Sequence, residues 1–163
     1  MHEVIRPLVD YNYWANRRLL RAVEALPAEA YTRDVGSEFS VPTLQGMLVH
    51  IMSAELIWLG RWRGMSPGSH EPPAAYPSVA ALRERWQRAE ADFQGFVREQ
   101  DLARAIDGVN SAGQPFRLPL WQMVQHVVNH GTHHRSETAT MLTRLGQAPE
   151  PLDLVVYYRG LGG

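Results

Sequence analysis

The residues with the clearest chemical potential are four histidines near one another, His126, His130, His133 and His134. On a helical wheel, His130 and His134 lie one turn apart in the middle of the apolar face, whereas the other two lie to its side. Imidazoles four residues apart on one helix face can direct their ring nitrogens at the same cation. The spacing therefore predicts that His130 and His134 bind one metal ion.

A third candidate ligand is His50, which lies on a separate apolar segment that is predicted to form a buried helix. Together with His130 and His134 it makes a three-histidine set, which leaves a coordination position for water or substrate. An imidazole set suits zinc, nickel, copper or iron(II) and does not suit calcium or magnesium. We expect a divalent transition metal, with zinc or nickel favoured and iron as an alternative.

A purely structural role for these histidines is the competing interpretation. A neutral imidazole can be buried at little cost when a hydrogen bond satisfies it. This is harder for His130 and His134 together, because four ring nitrogens must then find partners inside an apolar core. Arg135, which follows His134, is predicted to point away from that core.

The composition narrows the possible chemistry. The 163-residue chain contains no cysteine and no lysine, which excludes thiolate ligands, disulfides and lysine-based catalysis. Sixteen basic and 17 acidic residues give a net charge of −1, which argues against a nucleic-acid or membrane-surface partner. No apolar run approaches the roughly 20 residues of a membrane span, and the N-terminus has no signal-peptide pattern. We therefore expect a cytoplasmic protein.

Four stretches with helical periodicity must position these histidines. The predicted helices cover about residues 4–26, 42–62, 79–97 and 119–146, and Ser78 is a plausible N-cap of the third. Residues 64–77 are predicted to be a loop, residues 105–118 an irregular turn or small hairpin, and residues 152–158 an apolar extension. The chain is therefore predicted to be all-α, a four-helix bundle with long crossover connections that forms a single domain over residues 1–163.

The histidine-rich segment resembles the signature of a known family. Residues 128–135 read Val-Asn-His-Gly-Thr-His-His-Arg, and further matches lie at residues 11–16, 48–51 and 152–154 and at Glu55 and Trp58. The pattern is similar to that of the DinB/YfiT-like family of metal-binding bundles, over nearly the whole chain. By this resemblance the metal ligands are the histidine of the second helix and the two outer histidines of H-x-x-H-H, which fall on His50, His130 and His134.

The resemblance also implies an activity and an assembly. Some proteins of the family are thiol S-transferases that use low-molecular-weight thiols, and others have been proposed as metal hydrolases. A metal-dependent enzyme that acts on an unknown small molecule is therefore expected, and any thiol must come from a cosubstrate because the chain has no cysteine. A homodimer is expected as well. A non-catalytic metal-binding protein or a helical interaction protein is the alternative.

Two glutamates are candidate catalytic groups. The family usually has Arg-Gly-Gln or Arg-Ala-Gln after its paired histidines, whereas this chain has Arg135, Ser136 and Glu137. Glu137 follows His134 by nearly one turn, so it could act as a general base or hydrogen-bond to a ligand ring. Glu55 is the other candidate, although a solvated surface position is the first expectation for a helical glutamate.

Four polar residues are candidates for the surroundings of the site. His126 and His133 could orient the ligands through hydrogen bonds, or lie at the surface. Asn12 and Asn16 lie on or near the inward face of the first helix, where they could line a pocket or bond across helices.

One further motif matches only by its letters. Residues 64–68 fit G-x-S-x-G, but a nucleophile elbow needs a strand before the serine and a helix after it. Here a predicted helix precedes the motif, and Pro67 lacks the N–H that an oxyanion hole would use. Ser66 is therefore not expected to be catalytic.

Overall fold

The computed structural model describes residues 1–65, 68–109 and 113–162. It is mostly helical, and each of the four predicted long helices is present. The elements are α1 (His2–Glu24), α2 (Leu44–Trp62), α3 (Val79–Glu99), β1 (Ala105–Val109), β2 (Pro115–Pro119), α4 (Leu120–Arg144) and α5 (Leu154–Gly160). Short 3-10 turns cover Ala28–Tyr31 and Pro73–Ala75. Ser66 and Pro67, the centre of the G-x-S-x-G match, lie outside the described residues.

Helices α2 and α3 begin where a side-chain hydroxyl accepts a hydrogen bond from a first-turn N–H group. The Thr43 hydroxyl accepts a hydrogen bond from the Gly46 N–H (3.0 Å), and Ser78 accepts one from Ala81 (3.2 Å), which confirms the predicted cap. Helix α4 begins directly after Pro119, one residue later than predicted, and has no side-chain cap. A side-chain cap therefore marks the start of α2, the helix that carries His50.

One hydrophobic core lies between the four long helices. Helices α1 and α2 each pack against both α3 and α4, and α2 is buried around most of its circumference. Residues with less than 1% exposure line this core: Ala15, Leu19, Leu44, Met47, Leu48, Ile51, Met52, Leu82, Leu120, Val124, Met141 and Leu142. The packing of α2 against α4 brings the helix of His50 against the helix of the other histidines.

The all-α prediction is incomplete, because the chain also contains a small antiparallel sheet. Strands β1 and β2 pair from Ala105 opposite Pro119 to Val109 opposite Pro115, which confirms the hairpin that was one of two expectations for this segment. The end of the hairpin is joined to the helical core, since the N–H groups of Leu120 and Trp121 donate to carbonyls of the α3–β1 connection (both 2.9 Å). The hairpin links α3 to α4.

The apolar C-terminal extension forms the short helix α5. Tyr157 of this helix packs against Trp14 of α1, with ring centroids 5.6 Å apart. The Tyr11 hydroxyl donates to the Leu152 carbonyl just before α5 (3.0 Å). The extension is thus fastened to α1. Within the described part of the chain, no helix is long and apolar enough to cross a membrane.

Candidate metal centre

Three imidazoles from two helices meet at the interface of α2 and α4. A ring nitrogen from each of His50, His130 and His134 lies within 4.8 Å of the other two. The rings of His130 and His134 have centroids 4.4 Å apart, and His50 lies 4.5 Å from His134 and 5.2 Å from His130. The two helices therefore bring together the three histidines that the sequence singled out.

The surroundings of this cluster keep two of the imidazoles neutral. Burial, with like-charge repulsion from the neighbouring histidines, lowers the pKa of His50 and of His130 to about 4. His134 is the most enclosed of the three, with 7% exposure, and the other two are half-buried. Neutral imidazoles keep a lone pair, which is the form that a metal needs.

Glu137 orients the His134 ring. Its carboxylate lies 2.7 Å from His134 Nδ1, and the Ser40 N–H donates to its other oxygen, also at 2.7 Å. Burial on its own would raise the pKa of Glu137, but the hydrogen bonds from Ser40 and His134 outweigh it, so the net shift is downward. When the carboxylate accepts a hydrogen bond from the Nδ1–H group, the lone pair of the neutral ring is on Nε2, which faces His50.

The donor set fits a small divalent ion. His50 Nε2 lies 3.2 Å from His134 Nε2. Two nitrogens that each lie about 2.05 Å from one tetrahedral ion are roughly 3.3 Å apart. A hydrogen bond between the two rings would have a similar length and would need a proton on His50 Nε2. The spacing, the neutral rings and the carboxylate behind His134 together match a transition-metal site.

The other two histidines of the motif lie outside the cluster. His133 is exposed and its Nε2 is 3.9 Å from Glu137, and His126 is exposed with its ring against Trp58 (centroids 5.3 Å apart). His133, His134 and Glu137 form a second group with metal-binding atoms. Its shortest contact is the His134–Glu137 hydrogen bond, so we assign this group to the orientation of His134.

The surface position expected for Glu55 is wrong. Glu55 is only 2% exposed, because α2 is covered on nearly all sides. Its carboxylate accepts hydrogen bonds from Asn12 (2.7 Å), Asn16 (3.3 Å) and the Trp86 indole (2.8 Å). Burial raises the pKa of Glu55 to about 7 even though these donors and Arg135 favour the charged form.

The outward orientation predicted for Arg135 is also wrong. Arg135 is 2% exposed, and its Nη1 donates to the side-chain oxygens of Asn12 (2.5 Å) and Asn16 (2.9 Å). Each asparagine therefore accepts from a guanidinium and donates to the Glu55 carboxylate. The wheel failed here because the charge of Arg135 is compensated by Glu55 through two amides, which no local pattern reveals. We call these four side chains, Glu55, Asn12, Asn16 and Arg135, the buried polar network.

His70 is a neighbour of the site that the sequence did not identify. It lies on the segment between α2 and α3, and its ring stacks on His50 with centroids 4.6 Å apart. An isolated histidine in a proline-rich loop carries no spacing signal that would have connected it to His50. Only the path of the loop brings the two rings together.

Comparison with known proteins agrees with these observations. The model of the DinB family matches residues 1–160. This chain belongs to the DinB family. It is also similar to Protein DinB of Bacillus subtilis (strain 168), with 24% identity over 158 residues that cover 92% of this chain and 91% of that relative. The family resemblance of the histidine motif is thereby confirmed.

Proposed function

We propose that this DinB-family protein binds one divalent transition-metal ion through His50, His130 and His134 and is a metal-dependent enzyme that acts on a small molecule. The observation that supports the proposal is the convergence of three imidazoles from α2 and α4 within 4.8 Å of one another. An all-imidazole set suits divalent transition metals, and we favour zinc or nickel, with iron as an alternative. Coordination geometry and the metal supply in the cell decide among them.

The chemistry of such a site follows from its donor set. When bound by three imidazoles with a position open, a transition-metal ion supplies Lewis acidity and lowers the pKa of a water or thiol there. The chain's own residues prepare the three ligands. Glu137 fixes the orientation of His134, and the lowered pKa values of His50 and His130 keep both imidazoles neutral, with a lone pair free. Both carboxylate oxygens of Glu137 accept hydrogen bonds, which favours an orienting role over that of a general base.

Thiol S-transfer and hydrolysis both suit this site. They need the same three ligands and differ in whether a thiol or a water occupies the remaining position. The absence of cysteine from the chain means that a thiol would be a low-molecular-weight cosubstrate. Adding a small thiol to the cobalt(II)-substituted protein separates an open site from a closed one. A change in the visible spectrum supports a site open to thiols, and an unchanged spectrum supports non-catalytic metal binding.

We further propose that the four long helices form the four-helix bundle of this family with crossover connections, and that the protein acts as a cytoplasmic homodimer. The packing of α1 and α2 against both α3 and α4 supports the first part. The exposed face of α4 carries small polar residues, which would let a second copy approach closely: Asn129, Thr132, Ser136 and Thr143. Light scattering on the full chain measures the oligomeric state.

Metal content of histidine variants tests the central proposal. Untagged wild-type protein is expected to carry about one metal ion per chain, and His130→Ala or His134→Ala should lose most of it. His133→Ala should lose much less, because His133 is exposed and contributes no nitrogen to the cluster of His50, His130 and His134. The measurement is elemental analysis of each variant after purification.

The controls decide between the proposal and its competitors. His133→Ala removes one imidazole from the same helix, so it corrects for a general loss of surface metal binding. Equal loss in all three variants would contradict the ligand assignment. The histidines would have a structural role instead if wild-type protein carried no stoichiometric metal and chelator did not change its melting temperature.

A further inference from the structure

The ring of His70 covers one face of the His50 imidazole. The two planes are 17° from parallel and the centroids are 4.6 Å apart. The other rings meet His50 differently, since His134 is T-shaped to it at 81° and His130 is tilted by 43°. His70 is therefore the one neighbour among the described histidines that stacks flat on His50.

The segment that carries His70 is fastened to two helices through the next residue. The Glu71 N–H donates to the Ser53 hydroxyl on α2 (3.0 Å), and Arg85 on α3 donates to the Glu71 carboxylate (2.8 Å). The Tyr76 hydroxyl also hydrogen-bonds to this carboxylate. Ser53 is three residues beyond His50, so it lies on the same side of α2. The anchor at Ser53 thus brings the loop over the His50 ring.

The stacked arrangement does not make His70 a fourth ligand. An imidazole binds a metal through a lone pair that lies in the plane of its ring. The lone pairs of His70 lie in a plane nearly parallel to that of the His50 ring, so the two rings do not direct lone pairs at a common point. His70 accordingly contributes no nitrogen to the three-histidine cluster. What it offers to His50 is the face of an aromatic ring.

The two neighbouring ligand rings are held in different ways. His134 is held by the hydrogen bond between its Nδ1 and Glu137 (2.7 Å). Among the described residues, His50 Nδ1 has no hydrogen-bond partner, and the ring is half-buried. Without a partner at Nδ1, the rotation of His50 about its side-chain bond depends on ring packing and on the contact of its Nε2 with His134 Nε2 (3.2 Å).

We propose that His70 is a positioning residue of the metal centre: its ring holds the His50 imidazole in the rotation that directs Nε2 towards His134. Ring stacking fixes the rotation of His50, as the Glu137 hydrogen bond fixes the rotation of His134. The inference rests on the proposed function only as far as the consequence for metal binding, because the stacking is a contact between two rings of this chain.

Zinc affinity of the full chain, measured by competition with a chelator, tests the inference. His70→Ala is expected to weaken zinc binding about tenfold, as loss of a group that orients a ligand does. His70→Phe keeps an aromatic face without ring nitrogens and should bind within about twofold of wild type. Glu71→Ala leaves every histidine and the backbone hydrogen bond to Ser53 in place but removes the carboxylate contacts to Arg85 and Tyr76, so it should weaken binding in the same direction as His70→Ala and by less. His2→Ala is the matched control, since it removes a histidine that makes no ring contact with the cluster.

The ring resonances of His50 in the metal-free protein give a second measurement. His70→Ala should shift and broaden them, because the stacked ring and its ring current are lost, and His70→Phe should keep a stacked environment. The inference is overturned if His70→Ala leaves zinc affinity and the His50 resonances unchanged, or if His70→Phe is as impaired as His70→Ala. If wild type binds no zinc but His70→Ala still shifts the His50 resonances, the proposed function is refuted and the stacking role of His70 is established.

Discussion

Glu137 orients one of the three candidate ligands without belonging to the three-histidine cluster. Its hydrogen bond to His134 Nδ1 (2.7 Å) fixes both the tautomer and the rotation of that ring. Glu137→Gln is expected to reduce zinc affinity about 10- to 100-fold, because a neutral amide holds the ring less strongly and permits the other tautomer. Chelator competition measures the change.

The control for this substitution lies on α3. Glu84 is exposed, and its one ion pair with a described residue is to Arg88 on the same helix, so Glu84→Gln should leave zinc affinity unaltered. If the two glutamine variants bind zinc equally well, Glu137 has no orienting role.

Glu55 is a second residue whose environment makes a measurable prediction. Burial raises its pKa from 4.5 to about 7, so the folded protein holds this proton more tightly than the unfolded chain. The resulting stabilisation is complete below about pH 4.5 and is lost as the pH rises through about 7, by about 3 kcal/mol in all. Urea unfolding between pH 5 and pH 8 should show this decline in wild type and a flatter profile in Glu55→Gln.

The glutamine variant should also be less stable at every pH. Its amide presents N–H donors where Asn12 and Trp86 already donate. Comparing the slopes of the two pH profiles removes this constant difference and any contribution from the histidines. Identical slopes would show that Glu55 does not titrate in this range.

At the scale of the elements, Gly131 sets how closely α1 approaches α4. A Cβ on this residue would lie 2.7 Å from Asn12 Oδ1 and 2.8 Å from Arg135 Nη1. Both atoms belong to the buried polar network, so they cannot move aside without breaking hydrogen bonds. Gly131→Ala should therefore destabilise the protein by about 1–3 kcal/mol in denaturant unfolding, despite the better helix propensity of alanine.

Gly95 on α3 provides the opposite case. A Cβ there meets open space, so Gly95→Ala should be neutral or stabilise by up to about 1 kcal/mol. Equal effects of the two substitutions would mean that the contact at Gly131 is not a tight one.

The elements also show which features local sequence can predict. The helix starts at Thr43 and Ser78 depend on a hydroxyl and the N–H groups three residues later, so the sequence was sufficient. The spacing of His130 and His134 likewise placed both rings on one face, because it depends only on the helical period. The positions of Glu55 and Arg135 were mispredicted because each is buried only through partners on other helices. His70 was missed because its stacking depends on the route of a loop, which periodicity does not describe.

At the scale of the whole molecule, the proposed ion would connect two helices that are distant in sequence. His50 lies on α2 and the other two ligands on α4, so a bound ion would stabilise the folded state alone. Removing metal from the loaded protein should lower the melting temperature by roughly 10 °C for an ion present at about 1,000 times its Kd. Thermal unfolding with and without chelator measures this. His130→Ala should show no such difference. If chelator does not change the melting temperature of wild type, no ion links the two helices.

The buried polar network has a consequence for how this sequence can diverge. Each asparagine is useful because a cationic side chain lies on one side of its amide and an anionic one on the other. Replacing one of the four residues leaves buried polar groups without partners. Such a single variant should be less stable than one in which apolar groups replace all four residues together. Single-step substitution is thus blocked by strong epistasis, and descendants of this protein should keep the whole quartet or exchange it as a set.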